Sequence, residues 1–253
     1  MMNLSEAILL FLSTEYHPGK SVWSKEPCDN GQYSTFFETT VCQESRATAI
    51  GRYERKVRSA MRVTEELLCR DSANRKVEGC TPYINKGPKW KYDELLILGL
   101  AVSGPESGYR EDVDNGRGFA KDCTDSRKTE CGPDDVGGKG RGPARESCGM
   151  QIHPDSVGRF SDYTLEELLG TSEEAYERCF RVGFRMLLKS RAYCEWNTRV
   201  NMPKDFQSFS GDWVYQTVSL YGSGTDCYFY GGKTTIRVAA YNKMYTTVRK
   251  RGL

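Results

Sequence analysis

The chain has 253 residues, which is long enough to bury a sizeable core and to enclose a substrate groove. Its composition is ordinary for a globular protein, with 38% hydrophobic and 28% charged residues. The formal net charge is only +2, which argues against a nucleic-acid binder that works by neutralising phosphates.

The first predicted element is a short helix over residues 3–12, with Ser5 as its N-cap. Its apolar run is short, follows Glu6 and precedes no small-residue cleavage site, so it is not typical of a secretion signal. No stretch approaches the roughly 20 apolar residues of a transmembrane helix, and no membrane span is predicted. Residues 13–34 contain Pro, Gly and Asn-Gly and are predicted to form a loop.

A clear amphipathic helix is predicted from about residue 45 to residue 71, because apolar residues recur there at spacings of three and four. Its basic face is expected to be solvated. Residues 1–85 are assigned to a helical N-terminal extension, which braces the second domain or docks a partner. The second domain is assigned to residues 86–253.

Residues 91–104 predict a second helix that is apolar nearly all round and is therefore buried. Gly104-Pro105 is expected to end or bend it, because proline lacks a backbone N–H. Residues 110–149 then carry eight glycines and many charges around three cysteines. This segment is predicted to be a long surface insertion stapled by Cys123 and Cys131, with Cys148 as a further candidate.

Helical patterns return in the last third of the chain. They predict helices over residues 164–169, 172–194, 212–221 and 233–250, the first two capped by Thr164 and Ser172. No repeat and no alternating strand series stands out. The predicted fold class is therefore mainly α.

Ten cysteines are scattered along the chain without any CxxC pair, and there are only two histidines. The usual spacing of a Cys/His zinc site is missing, and no metal or other cofactor is predicted. An even, scattered set favours disulfides and an oxidising environment, with free buried thiols as the alternative. The predicted location is the periplasm or cell wall, or a virion, reached by a processed form or as part of a particle.

Three short segments carry residues suited to chemistry. They are Glu106-Ser107-Gly108 after the buried helix, Ser147-Cys148-Gly149-Met150-Gln151-Ile152 after the insertion, and Tyr221-Gly222-Ser223-Gly224 at the end of a later helix. Each is weak by itself. In their order and spacing they resemble the lytic transglycosylases related to goose-type lysozyme, known as soluble lytic transglycosylases. The resemblance covers roughly residues 88–250.

The resemblance implies a lysozyme-like domain that cleaves the β-1,4 bond between MurNAc and GlcNAc in peptidoglycan glycan strands. Glu106 would be the single acid/base and would leave a 1,6-anhydro product. Burial beside an apolar helix raises the pKa of such a carboxyl group and makes it a useful acid. The implied groove is lined by Ser107, Met150, Gln151, Ile152, Tyr221 and Gly222, and the Tyr221 hydroxyl is implied to lie near the Glu106 carboxyl. Other virion or envelope subunits are candidate partners.

The sequence also departs from the family pattern. Gly149 directly precedes Met150, where the family usually has one residue between the glycine and Met-Gln. The insertion between the first two motifs is longer than usual. Ala239-Ala240-Tyr241-Asn242 copies a family string, but no glycine follows it, and Tyr221 is therefore preferred.

Two alternatives to the lyase remain open. A hydrolytic lysozyme (a muramidase) needs a second carboxylate to hold a water, and Asp112 and Asp114 are available in a turn-like segment expected to face solvent. A non-catalytic protein, which binds the cell wall or serves as a structural part of a virion, is the other alternative.

Overall fold

A computed structural model describes residues 2–15, 22–23, 33–36, 39–42, 46–85, 87–107, 109, 114, 148–201, 212–228 and 231–251. These residues are mainly helical, as the sequence predicts. They form seven α-helices: α1 (Leu4–Glu15), α2 (Arg46–Leu68), α3 (Tyr92–Ser107), α4 (Pro154–Phe160), α5 (Glu173–Asn201), α6 (Trp213–Ser223) and α7 (Gly232–Lys250). Within the described ranges, one 3-10 turn lies at Glu166–Leu168.

Three short strands precede α2, in and beyond the segment that the sequence predicts as a loop. They are β1 (Val22–Trp23), β2 (Tyr33–Phe36) and β3 (Thr39–Cys42). Both pairings are antiparallel and the order is β1-β3-β2. The loop prediction for residues 13–34 is wrong at these strands, because two to four residues are too few to show the alternation of a strand.

The N-terminal helix is capped by Asn3 and not by Ser5. The Asn3 Oδ1 atom accepts a hydrogen bond of 2.9 Å from the backbone N–H of Glu6. The Glu6 carboxylate in turn accepts one of 3.0 Å from the backbone N–H of Asn3. This reciprocal capping box starts α1 two residues earlier than the Ser5 prediction requires.

Helix α3 is the buried centre of the fold, as its apolar composition predicts. The side chains of Leu95 to Leu98 and of Leu100 to Ser103 are completely buried. A Cβ atom at Gly99 would lie 1.9 Å from the Phe184 ring, so a glycine is needed where α5 approaches α3. The helix continues through Pro105 to Ser107, and the expectation that it ends at residue 104 is wrong. Because the proline stands in the last turn, it removes only one backbone hydrogen bond.

One hydrophobic core joins α3 to helices from both ends of the chain. It includes buried side chains of α1 and α2, such as Phe11 and Val57, together with Leu187 of α5, Val218 of α6 and Met244 of α7. Helix α2 packs on α5, and α3 packs on α7. The domain boundary at residue 85 stays a prediction.

Three disulfides cross-link the described residues: Cys69–Cys80, Cys148–Cys179 and Cys194–Cys227. They confirm the disulfide prediction and indicate an oxidising, extracytoplasmic environment. Cys148 is bonded to α5, whereas the predicted staples Cys123 and Cys131 lie outside the described residues. Within the described ranges, no helix has both the length and the apolar character that crossing a bilayer requires.

Three of the four helices predicted in the last third of the chain are confirmed as α5, α6 and α7, whereas the α-helix predicted over residues 164–169 is only the 3-10 turn at Glu166–Leu168. Thr164 and Ser172 act as caps, because their hydroxyl oxygens accept the backbone N–H groups of Glu167 and Ala175. Helix α5 runs seven residues beyond its predicted end at 194, to Asn201. Helix α4, which leads from the second motif into the site, is not predicted by the sequence.

Candidate functional site

A cleft of about 740 Å³ opens between α4, α5, the end of α6 and α7. Three of the residues proposed from the sequence line it: Gln151, Tyr221 and Gly222. The remaining described lining residues are His153, Ser156, Arg159, Phe160, Met186, Lys189, Ser190, Tyr193, Leu220, Ser223, Gly224, Thr225 and Arg237. Two motifs that are 70 residues apart in sequence therefore meet in one cleft.

Two hydrogen bonds join the three motif regions. The Tyr221 hydroxyl donates to the Met150 carbonyl at 2.6 Å, which links the third motif to the second. The Ser103 hydroxyl donates to the Gly149 carbonyl at 2.9 Å, which links the second motif to α3. Ser103 lies three residues before Glu106 on the same helix. The Gly-Met-Gln segment is thus held between the end of α3 and the end of α6.

Glu106 and Ser107 occupy the end of α3. Their side chains lie outside the described part of the structure. The dry environment expected for the Glu106 carboxyl and its closeness to the Tyr221 hydroxyl therefore stay predictions. What the structure describes is the backbone position of Glu106, one turn beyond the contact between Ser103 and Gly149.

The Met-Gln-Ile segment has one half-buried and two fully buried side chains. Met150 and Ile152 are completely buried, and a Cβ atom at Gly183 of α5 would lie 2.6 Å from the Met150 Cε atom. In this conformation neither side chain can contact a substrate, so both support the turn from below. Gln151 is half-buried at the cleft, and its Nε2 atom donates to the Cys148 carbonyl at 3.0 Å.

The turn before the cleft is held in a conformation that non-glycine residues adopt infrequently. Cys148 and Gln151 have φ angles of 55° and 50°, in the left-handed region. The Cys148–Cys179 disulfide fixes one end of the turn to α5, and the hydrogen bond from Tyr221 fixes the other. Such conformations persist where surrounding contacts over-determine them, and they cluster at functional sites.

A buried arginine lies directly against Gly222. A Cβ atom at this position would lie 2.0 Å from the Arg237 Nη1 atom. The Arg237 side chain is 5% exposed, and its guanidinium carbon lies 5.7 Å from the centroid of the Tyr221 ring. Any side chain at residue 222 therefore pushes on a cation that also contacts the tyrosine.

Replacement of Gly222 by alanine is expected to destabilise the fold by only about 1 kcal/mol, because the Arg237 guanidinium is the end of a flexible side chain and can turn into the cleft that it lines. Gly158→Ala in α4 is the matched control, since nothing lies within 4 Å of a Cβ atom there. Urea denaturation of both variants measures the difference. Equal free energies of unfolding for the two variants would show that the Arg237 side chain moves aside without any loss of stability.

The cleft is electropositive over its described lining. Three of its side chains, Arg159, Lys189 and Arg237, are cationic. No acidic side chain is among the described lining residues. Such a field raises the local concentration of anionic ligands and favours an acidic polymer.

A buried ion pair that the sequence does not predict lies below the Gly-Met-Gln segment. The Lys56 Nζ atom is 2.7 Å from the Asp114 carboxylate, and both side chains are 1% exposed. The Tyr176 hydroxyl donates to the same carboxylate at 3.2 Å. A Cβ atom at Gly149 would lie 3.2 Å from the Asp114 Oδ1 atom, so the pair adjoins the second motif.

This ion pair corrects two expectations. Asp114 does not face solvent, and burial raises the pKa of its carboxyl group, while the charge of Lys56 opposes that rise. Arg52 and Lys56 of α2 are buried, so the basic face of this helix is not wholly solvated. The sequence gives no signal for the pair, because its members are 58 residues apart. Asp112 lies outside the described residues.

The alternative tyrosine, Tyr241, is not among the described residues of the cleft wall. Its ring packs 6.0 Å from Trp213 and stacks 5.4 Å from Tyr245. Of the two candidate strings, Tyr221-Gly222 is therefore the one placed at the cleft.

No protein-family model, no curated protein and no solved structure matches the chain, so the family resemblance rests on the three motifs alone.

Proposed function

We propose that the protein is a lysozyme-like lytic transglycosylase that cleaves peptidoglycan, with Glu106 as its acid/base. The observation that carries the proposal is the meeting of the three motif regions through Tyr221–Met150 and Ser103–Gly149. The segments that resemble the family are distant in sequence and independent in composition. Contacts that link the second motif to the third and to the helix of the first are expected if the three segments form one site.

The proposed reaction begins with proton transfer from the Glu106 carboxyl group to the glycosidic oxygen that leaves with GlcNAc. Positive charge develops at C1 of the muramic acid as the C1–O bond breaks. Glu106, now a carboxylate, takes the proton of the C6 hydroxyl of the same sugar, and the C6 oxygen bonds to C1. The products are a 1,6-anhydro sugar and a free hydroxyl on GlcNAc, and no water is consumed.

The helix that bears Glu106 supports its role as an acid. Ala101, Val102 and Ser103, in the preceding turn, are completely buried. A carboxyl group close to such an environment is penalised in its charged form, which raises its pKa towards neutrality. Proton donation near neutral pH needs such a shift, because an ordinary glutamate is almost fully ionised there.

The cleft supports a glycan substrate with acidic substituents. Gln151 at its wall offers a donor and an acceptor to sugar or peptide groups. Met150 and Ile152 hold the turn that presents Gln151, and the Tyr221 hydroxyl orients that turn through the Met150 carbonyl. Arg159 and Lys189 suit the carboxylates of muramic acid peptides. Ser107 follows Glu106 at the helix end and is proposed to orient it or to touch the substrate.

The lyase is favoured over the hydrolase by the place of Asp114. A hydrolytic lysozyme of the inverting kind uses a second carboxylate to hold a water across the sugar ring. Asp114 is buried in its pair with Lys56 and is not among the described lining residues of the cleft. The proposed location is the cell envelope or a virion, in line with the three disulfides.

Digestion of purified sacculi by the protein tests this proposal. Mass spectrometry of the released fragments is expected to show 1,6-anhydro-muropeptides, which are lighter by one water than the products of a hydrolase. Fragments with reducing muramic acid ends would overturn the lyase and favour the muramidase. Absence of any released fragment under reducing-agent-free conditions would overturn the enzyme and favour a non-catalytic wall-binding protein.

A further inference from the structure

Two neighbouring aromatic side chains are exposed at the edge of the cleft. Tyr193 and Trp196 of α5 are 47% and 60% exposed, and their ring centroids are 6.0 Å apart. In the described part of the chain only Leu10 and Ile236 are comparably exposed large apolar residues, and they lie on other helices. An exposed aromatic pair is costly in water and frequently marks a binding surface.

The aromatic pair continues the wall of the cleft. Met186, Lys189, Ser190 and Tyr193 line the cleft from α5, and their spacings of three, one and three place them on one helix face. Trp196 follows Tyr193 by three residues and therefore lies on that face, one turn further along. A ligand that leaves the cleft along α5 meets Tyr193 first and Trp196 next.

The helix that carries the pair is fixed to the opposite wall. Cys194, between the two aromatic residues, forms a disulfide with Cys227. Cys227 lies two residues after Thr225, the last of the residues that line the cleft at the end of α6. The two walls are thus joined covalently beside the rings, which preorganises the surface and lowers the entropic cost of binding.

We infer that Tyr193 and Trp196 form an aromatic platform that binds pyranose rings of a β-1,4-linked glycan strand beyond the cleft. The faces of such pyranoses are apolar C–H surfaces, which pack on aromatic rings, and their edges carry hydroxyl and amide groups. Ser156 and Thr225 on the cleft wall are not buried and offer hydroxyls to those edges. The inference rests on the proposed function, since it assigns further sugar units of the same substrate.

A glycan fits this surface better than a protein partner does. Stable protein interfaces usually bury well over 1,000 Å² in total, whereas the patch consists of two rings. A strand of sugars extends the contact in one direction only, along the helix face that leads out of the cleft. The platform therefore predicts that affinity rises with the length of the oligosaccharide.

Binding of β-1,4-linked N-acetylglucosamine oligomers, measured by isothermal titration calorimetry, tests the platform. In a Glu106→Gln background, which avoids cleavage, the hexamer is expected to bind more tightly than the dimer. Trp196→Ala is expected to weaken hexamer binding about tenfold and to leave dimer binding nearly unchanged. Trp196→Phe is expected to retain part of the difference. Leu10→Ala, which removes a comparably exposed apolar side chain on α1, is the control.

The outcomes separate the platform from the proposed function. If adding Trp196→Ala to the Glu106→Gln protein leaves hexamer affinity unchanged, and the unsubstituted protein cleaves sacculi, the platform is wrong and the enzyme stands. If the unsubstituted protein does not cleave sacculi, but Trp196→Ala still lowers hexamer affinity in the Glu106→Gln background, the platform stands and the enzyme is wrong. If no oligomer binds the Glu106→Gln protein, the platform is wrong, and the two exposed rings do not bind glycan. Circular dichroism of each variant checks that the fold is intact.

Discussion

Replacement of Glu106 by glutamine is expected to lower the rate of peptidoglycan cleavage by a factor of about 10²–10⁴. Glutamine has nearly the same size as glutamate, but its amide cannot donate a proton to the leaving oxygen and cannot take one from the C6 hydroxyl. Both half-reactions depend on this one side chain in the proposed mechanism. The measurement is the rate at which anhydro-muropeptides appear from purified sacculi.

The control for this variant is Glu54→Gln on α2. Glu54 is exposed, and its substitution makes the same chemical change at a residue outside the three motifs. Its activity is expected to equal that of the parent protein, and both variants are expected to unfold at the same temperature as the parent. Cleavage by Glu106→Gln at the parental rate would exclude Glu106 as the acid/base and leave the motif resemblance without its catalytic meaning.

Replacement of Lys56 by methionine is expected to destabilise the protein by about 3–5 kcal/mol, because it leaves the Asp114 carboxylate buried without its countercharge. The Lys56 Nζ atom also lies 5.4 Å and 5.2 Å from the rings of Tyr109 and Tyr176, and these contacts are lost too. For a chain of this size the loss corresponds to a fall in melting temperature of roughly 6–20 °C. Differential scanning calorimetry measures it directly.

The double variant Lys56→Met with Asp114→Asn provides the test of cause. Removing both charges removes the buried unpaired carboxylate, so the double variant is expected to be more stable than Lys56→Met alone. Asparagine still offers an oxygen to the Tyr176 hydroxyl. A double variant no more stable than Lys56→Met would show that the loss comes from packing and not from charge.

The stability of Lys56→Met is also expected to depend on pH in a defined direction. Burial raises the pKa of Asp114, and without Lys56 the rise is opposed by the charge of Arg52 and the hydrogen bond from Tyr176 but no longer by its largest opposing contribution. A raised pKa in the folded state means that folding takes up a proton, so stability is greatest below the ordinary carboxyl pKa of about 4 and falls as pH rises. The deficit relative to the parent protein is therefore expected to be smaller near pH 4 than at pH 7.

Local pattern was sufficient for most of the helices. The burial of residues 95–104 in α3 follows from apolar residues on all sides, because a helix without a polar face cannot lie at a surface. The caps at Thr164 and Ser172 follow from side chains that reach only three residues along the chain. The same short range explains the error at α1, where Asn3 and Ser5 are both good caps and Asn3 is chosen by its reciprocal bond with Glu6.

Contacts between distant segments could not be predicted from the sequence. The burial of Lys56 and Asp114 depends on the contact between α2 and the segment after α3. No local sequence pattern near either residue predicts that contact. The disulfide partners Cys148 and Cys179 were likewise unpaired in the sequence, since an even count of cysteines leaves many connectivities open. Helix α4 was missed because its seven residues hold a glycine and too few apolar positions for a period to appear.

The sequence by itself determined the mainly helical class, the buried helix that leads into Glu106 and the three motifs. These properties depend on residues within a few turns of one another, where spacing along the chain fixes spacing in the fold. Only the tertiary structure decided that Tyr221 bonds to Met150, that Arg237 lies against Gly222 and that a cleft opens beside them. The physical reason is that these contacts arise from packing between helices, and packing is set by the shape of the whole core.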